Sequence, residues 1–170
     1  MQKRQISNAP RLAALAVCVA VALMLSFIEA RIPPITPIPG IKLGLPNIAI
    51  IFVLYRLGAR DAICVSLLRT SLSSLLFGSV TSFMYGAAGA ALSLLVMWLL
   101  RKTPLSTIGV STLGGVSHNI AQIAVASLVM QTNVVVYYLP YLILSGTIAG
   151  IVIGIAGAML VKKIPKIENI

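Results

Sequence analysis

Leu12-Ala-Ala-Leu-Ala-Val-Cys-Val-Ala-Val-Ala-Leu-Met-Leu-Ser-Phe-Ile28 is a stretch without a single charged residue. At ~1.5 Å of rise per residue, a helix of this length crosses most of a ~30 Å hydrocarbon core. Lys3, Arg4 and Arg11 precede it, an order that also describes a secretory leader. The run is longer than a typical leader core, and the chain beyond it is equally apolar. It therefore reads as a first membrane span.

Working outward, five more apolar segments follow, at 46–57, 62–77, 83–100, 108–130 and 137–161. The last three are long enough to span a bilayer. Segments 46–57 and 62–77 are short, and each reads as tilted, partly re-entrant, or extended into its flanks. Arg56-Leu57-Gly58-Ala59-Arg60-Asp61 between them reads as a tight charged turn. Over the 170 residues 59% are hydrophobic and 9% charged, against roughly 25% charged in an ordinary soluble domain. That excludes a water-soluble globular enzyme. Residues 1–170 are expected to form a single membrane domain, an all-α bundle of six transmembrane helices.

The charges then predict its orientation. Threading six spans alternately collects Lys3, Arg4 and Arg11, Arg56 and Arg60, Arg101 and Lys102, and Lys162, Lys163 and Lys166 on one side. The opposite side receives only Arg31 and Lys42, and Arg69 falls inside the third segment. Cytoplasmic loops are enriched in Lys and Arg. The pattern predicts a multi-pass protein of the cell membrane with both termini cytoplasmic. The formal net charge of +10 raises the question of nucleic acid. Placement argues against it, because the cations stand singly or in small groups at the ends of apolar runs instead of forming a stripe with interleaved aromatics.

Several polar residues sit where an apolar core would not place them. An arginine at bilayer depth costs about 2.5 to 3.5 kcal/mol on insertion scales unless it faces a polar interior. Ser66, Arg69, Thr70 and Ser73 share one helical face that would supply such an interior, and snorkelling is the alternative. His118, Asn119 and Gln122 cluster within one turn of the fifth span, either as a cavity lining or as interhelical hydrogen-bonders. Glu29 and Asn47 add polar groups to the outer half. The proline-rich stretch from Arg31 to Pro46 is stiff, and either covers a site or simply connects two spans.

Small residues at four-residue spacing let helices approach closely in lipid. They occur as Gly146, Gly150, Gly154 and Ala158 in the sixth span, as Ser82, Gly86 and Ala90 in the fourth, and as Ala16 and Ala20 in the first. Catalytic constellations are missing. One aspartate in the chain, Asp61, cannot build the paired acidic clusters that hold Mg²⁺ for diphosphate chemistry. Cys18 and Cys64 lack metal or redox spacing, the lone histidine has no second ligand nearby, and there is no phosphate-cradling GxxxxGK[ST] loop. No metal, no cofactor and no enzymatic activity are expected, and any transport must draw its energy from a partner or a gradient.

Pro39 to Asn47, Leu67-Leu68-Arg69 followed by Ser74-Leu75-Leu76-Phe77-Gly78, and Gly114 to Gln122 together resemble the Gx transporter family, often labelled heptaprenyl diphosphate synthase component I. The resemblance runs from about Leu12 to Lys163. That family is similar to the substrate-binding S components of energy-coupling factor (ECF) transporters. The resemblance implies a six-helix protein that captures a small vitamin- or cofactor-like solute from outside, working with a membrane coupling subunit and cytoplasmic ATPases. It implies contact with the coupling subunit through a first-helix AxxxA seam, matched here by Ala16 and Ala20. Lys42 and Arg69 would favour an anionic solute, oriented by Asn47, His118, Asn119 and Gln122. The synthase label suggests an alternative, a membrane accessory subunit of prenyl (heptaprenyl) diphosphate synthesis.

Overall fold

A computed structural model describes residues 9–33 and 42–164. Lys3, Arg4, Lys166 and the centre of the proline-rich stretch lie outside them. The described residues form α1 (Ala9–Arg31), α2 (Asn47–Arg56), α3 (Ala59–Phe77), α4 (Val80–Leu100), α5 (Thr107–Met130) and α6 (Leu139–Lys163), with a 3₁₀ turn, Val134–Tyr138, leading into α6. Four segments are long and apolar enough to cross a membrane: α1, α4, α5, and α6 with its leading turn. The short second helix and the charge-bearing third fall outside that group, in line with the lengths read from the sequence.

Local signals set the boundaries. Ser79 starts α4 by accepting the Ser82 N–H at 3.1 Å, and Ser106 starts α5 by accepting the Gly109 N–H at 3.2 Å. The charged turn between α2 and α3 closes on Gly58, whose φ of 113° is open to glycine and strained for other residues. Its N–H and that of Leu57 both donate to the Val53 carbonyl, ending α2 within one residue of Arg56.

The packing is a ring. α3 packs on α4, α4 on α5, α5 on α6, and α2 closes the circuit between α6 and α3, while α1 lies outside against α3 and α2. α2 is the core of one half of the bundle. Ile50, Ile51, Val53 and Leu54 are all but fully buried, against Val65, Leu94, Met97, Val110 and Ile153 from the surrounding helices. Burying side chains of this size stabilises by roughly 1.5 to 3 kcal/mol each in water. Against lipid that gain shrinks, so close packing must contribute more. The α5–α6 contact is the clearest case, since a Cβ on Gly115 would lie 2.5 Å from the Gly146 carbonyl oxygen. The outer faces of the long helices are apolar, with Leu128 78% and Met24 64% exposed.

At the end of the bundle where α1 begins and α6 ends, two arginines are engaged, while Arg56 Nε is a buried atom without a partner among the described residues. Arg11 Nη2 donates to both carboxylate oxygens of buried Asp61, at 2.8 and 2.9 Å, joining α1 to α3. Arg101 Nη1 donates to the Leu54 carbonyl at 2.8 Å, satisfying the C-terminus of α2. α2 has ten residues, about 15 Å of rise, half of a hydrocarbon core. It fills the terminal half of the ring and leaves the opposite half without a central helix.

Candidate functional site

That missing half-helix is a cavity of about 590 Å³. It lies at the end carrying the α1–α2 loop, beyond the N-terminus of α2, where Asn47 and Ile51 supply one wall. α3 contributes Arg69 and Thr70, α4 Ser93 and Met97, and α5 a continuous face of Ser111, Gly115, His118 and Gln122. These four fall at i, i+4, i+7 and i+11, one stripe of an α-helix. Gly146, Gly150 and Ile153 repeat the same periodicity on α6.

All six residues singled out from the sequence line this cavity: Lys42, Asn47, Arg69, His118, Asn119 and Gln122. They differ in how they are held. Lys42 is exposed at the mouth, whereas Asn47, Arg69, His118 and Gln122 are half-buried along the walls. Asn119 is buried, and its Nδ2 donates to the Leu142 carbonyl of α6 at 2.6 Å. Its amide therefore helps to hold α5 on α6, and a Cβ on Gly146 would lie 2.8 Å from that nitrogen. Of the polar face expected on α3, Arg69, Thr70 and Ser73 reach the cavity, while Ser66 is buried in the packing outside it.

The electrostatics are cationic and the hydrogen-bonding incomplete. Among the described residues, Arg69 Nε, Thr70 Oγ1, His118 Nδ1 and Gln122 Oε1 are buried atoms without a hydrogen-bond partner. Buried polar groups in proteins are satisfied in the great majority of cases, so four orphans around one space mark it as a place for something polar. Glu29 is the carboxylate of the lining, and it accepts the Gly44 N–H, fastening the loop end to α1. Among the described residues, Arg69 has no carboxylate at ion-pair distance. The N-terminus of α2 adds the positive end of a helix dipole.

Sequence reasoning passed over Ser93 and Ser111, the polar residues deepest in the cavity. Extending the His118–Gln122 register backward along α5 would have reached Ser111. Extending Ser82 and Gly86 along α4 would have reached Ser93 and Met97, which share their stripe.

Among the described residues no group of three His, Cys, Asp or Glu is placed to hold a metal ion. A solved S component of a bacterial ECF transporter has the same fold, with a TM-score of 0.65 at 22% sequence identity, over 92% of this chain and 96% of that one. No curated protein matches the chain. Residues 18–160 match the family model described as heptaprenyl diphosphate synthase component I. With most of its length inside that match, the chain belongs to the heptaprenyl diphosphate synthase component I family.

Proposed function

We propose that this protein is the substrate-binding membrane component of an ECF-type importer, capturing a small anionic solute from outside the cell. The observation that carries the reading is the cavity itself: a space of about 590 Å³ where Lys42, Arg69 and four unpartnered polar atoms converge. Its size suits a small metabolite. The likeness to a solved S component supports the fold-level part of the reading. In this reading the bundle sits with both termini cytoplasmic, as the distribution of Lys and Arg favours, and the cavity opens outward. Lys42 draws the anion in, Arg69 holds it, and Asn47, His118, Asn119 and Gln122 line its path.

The partners are a membrane coupling subunit and cytoplasmic ATPases. Ala16 and Ala20 are exposed, whereas Ala22 and Ser26 form the face of α1 that is buried in the bundle. The small-residue pair is thus free for close approach by a helix outside the bundle. Co-expression with candidate coupling subunits and ATPases tests this. The complex is expected to co-purify, and Ala16→Leu with Ala20→Leu to abolish co-purification without lowering the melting temperature. A wild-type protein that never associates would sink the reading.

The family's description supports a second reading, an accessory role in prenyl diphosphate synthesis. It predicts that adding the protein in membranes changes the rate or product length of a soluble prenyl synthase. An unchanged product profile ends it.

A further inference from the structure

The floor of the cavity differs chemically from its middle. Ser93 on α4 and Ser111 on α5 are both 4% exposed and both line the cavity. Several other buried or half-buried helix hydroxyls back-bond to their own helix, although Ser66, Thr70 and Ser74 of α3 do not. Ser26 donates to the Ala22 carbonyl at 2.9 Å, Thr112 to Ile108 at 2.8 Å, Ser117 to Gly114 at 2.9 Å and Ser145 to Leu142 at 3.1 Å. Back-bonding is the ordinary way for a hydroxyl to be satisfied in an apolar helix. Among the described residues, neither Ser93 nor Ser111 makes such a bond or any other.

Charge in the lining is confined to the other tier, where Glu29 is engaged by the Gly44 N–H. Lys42 stands at the mouth and Arg69 at mid-height on α3, beside the His118 and Gln122 level of α5. Among the described residues that line the cavity, none at the level of Ser93, Ser111, Met97 and Ile153 is charged. An occupant that was only an oxyanion at Arg69 would leave Gln122 Oε1, an acceptor, without a donor, and would not reach the serine hydroxyls of the floor. A hydrocarbon tail would strand the serines as well.

Resting on the function proposed above, we infer that the solute is an organic anion with an uncharged, hydrogen-bonding end, bound with its charge at Arg69 and that end down on Ser93 and Ser111. The serines are then specificity determinants, and the anion site alone is the general one. The cavity would reject bare phosphate as a strong ligand and would reject prenyl chains outright.

The test uses the full chain in phosphatidylcholine nanodiscs. Binding is measured for sugar phosphates, nucleoside monophosphates and hydroxy- and amino-carboxylates, each beside its uncharged parent, with inorganic phosphate and a prenyl diphosphate as references. The tightest binder should be a charged member with O–H or N–H donors at the end remote from its charge. Its uncharged parent should bind about a hundredfold more weakly, the loss of a charge-assisted contact. Ser93→Ala with Ser111→Ala should weaken that binder about tenfold and leave inorganic phosphate unchanged, whereas Arg69→Gln should weaken both. Ser117→Ala, a back-bonded serine outside the cavity, controls for a general helix effect and should change nothing.

An unchanged affinity in the double serine variant overturns the inference and leaves the importer reading standing. Prenyl diphosphate as the tightest binder, or an uncharged parent equal to its anion, also overturns it. Failure of every panel member to bind counts against the importer reading and takes this inference with it.

Discussion

The two ends of the bundle handle polar groups in opposite ways. At the end where α1 begins and α6 ends, Asp61 is buried with both carboxylate oxygens bound to Arg11, and Arg101 satisfies the end of α2. At the loop end, Arg69, Thr70, His118 and Gln122 hold buried atoms that no described residue satisfies. Both arrangements place charge among apolar helices, but the first leaves a single orphan, Arg56 Nε, whereas the second gathers four around one space. The difference separates charge that maintains the fold from charge that waits for a partner, and it makes a testable claim about stability. Changes at the terminal end and in the helix seams should cost stability. Changes at the unpartnered residues of the loop end should cost binding and leave stability equal or higher.

The largest effect is expected at Gly115, where α5 and α6 meet backbone to backbone. An added Cβ would press on the Gly146 carbonyl oxygen, which has no rotamer by which to retreat. Overpacking of this kind costs about 3 kcal/mol, and Gly115→Ala should lower the melting temperature strongly in detergent or nanodiscs. Gly109→Ala, whose Cβ would make only ordinary contacts at 3.7 Å or beyond, should be close to neutral. Equal melting temperatures for the two variants would break the assignment of the glycine seam to packing within the bundle.

Next comes the Arg11–Asp61 pair, which is asymmetric. The side chain of Asp61 is 8% exposed and that of Arg11 45%. Arg11→Ala leaves a buried carboxylate with no counter-charge. Asp61→Asn leaves an arginine that can turn into solvent or the headgroup layer. The first should cost about 2 kcal/mol and the second about 1, below the range for fully buried pairs because one partner is already half in solvent. Thermal unfolding of the two single variants and the double checks the order. A double variant as stable as Asp61→Asn alone would sharpen the picture, showing that the buried carboxylate is the source of the penalty.

How much of this was legible beforehand differs between the two ends. The six helices follow from apolar run lengths, and the shortness of 46–57 was itself the trace of the cavity, because a half-length helix in a ring leaves half the ring empty. Arg69 and the His118 cluster were legible because polar residues are conspicuous against an apolar background. Ser93 and Ser111 were not, since serine is tolerated in any apolar helix through back-bonding. Only the three-dimensional account of which hydroxyls are satisfied distinguishes them from Ser26 or Ser117. Asn119 was legible as polar but not as structural, because its bond to Leu142 joins residues that sequence spacing cannot relate. The Arg11–Asp61 pair escaped for the same reason, and Arg11 read only as a topology signal.

The smallest effect is also the one that discriminates best between the two ends. Arg69→Met removes a guanidinium whose buried Nε has no partner and replaces it with an unbranched apolar chain of similar length. If Arg69 held the helices together, as Arg11 does, this variant would lose stability. If it is held ready for a solute anion, the empty protein should instead gain about 1 kcal/mol, since an unpartnered buried group is exchanged for one that needs none. The melting temperature of the solute-free variant should therefore rise by a few degrees while binding of organic and inorganic anions is lost together. A lower melting temperature would place Arg69 with the structural charges and remove the contrast on which the site rests. A gain in stability coupled to lost binding is the trade expected where a site is built at the expense of the fold.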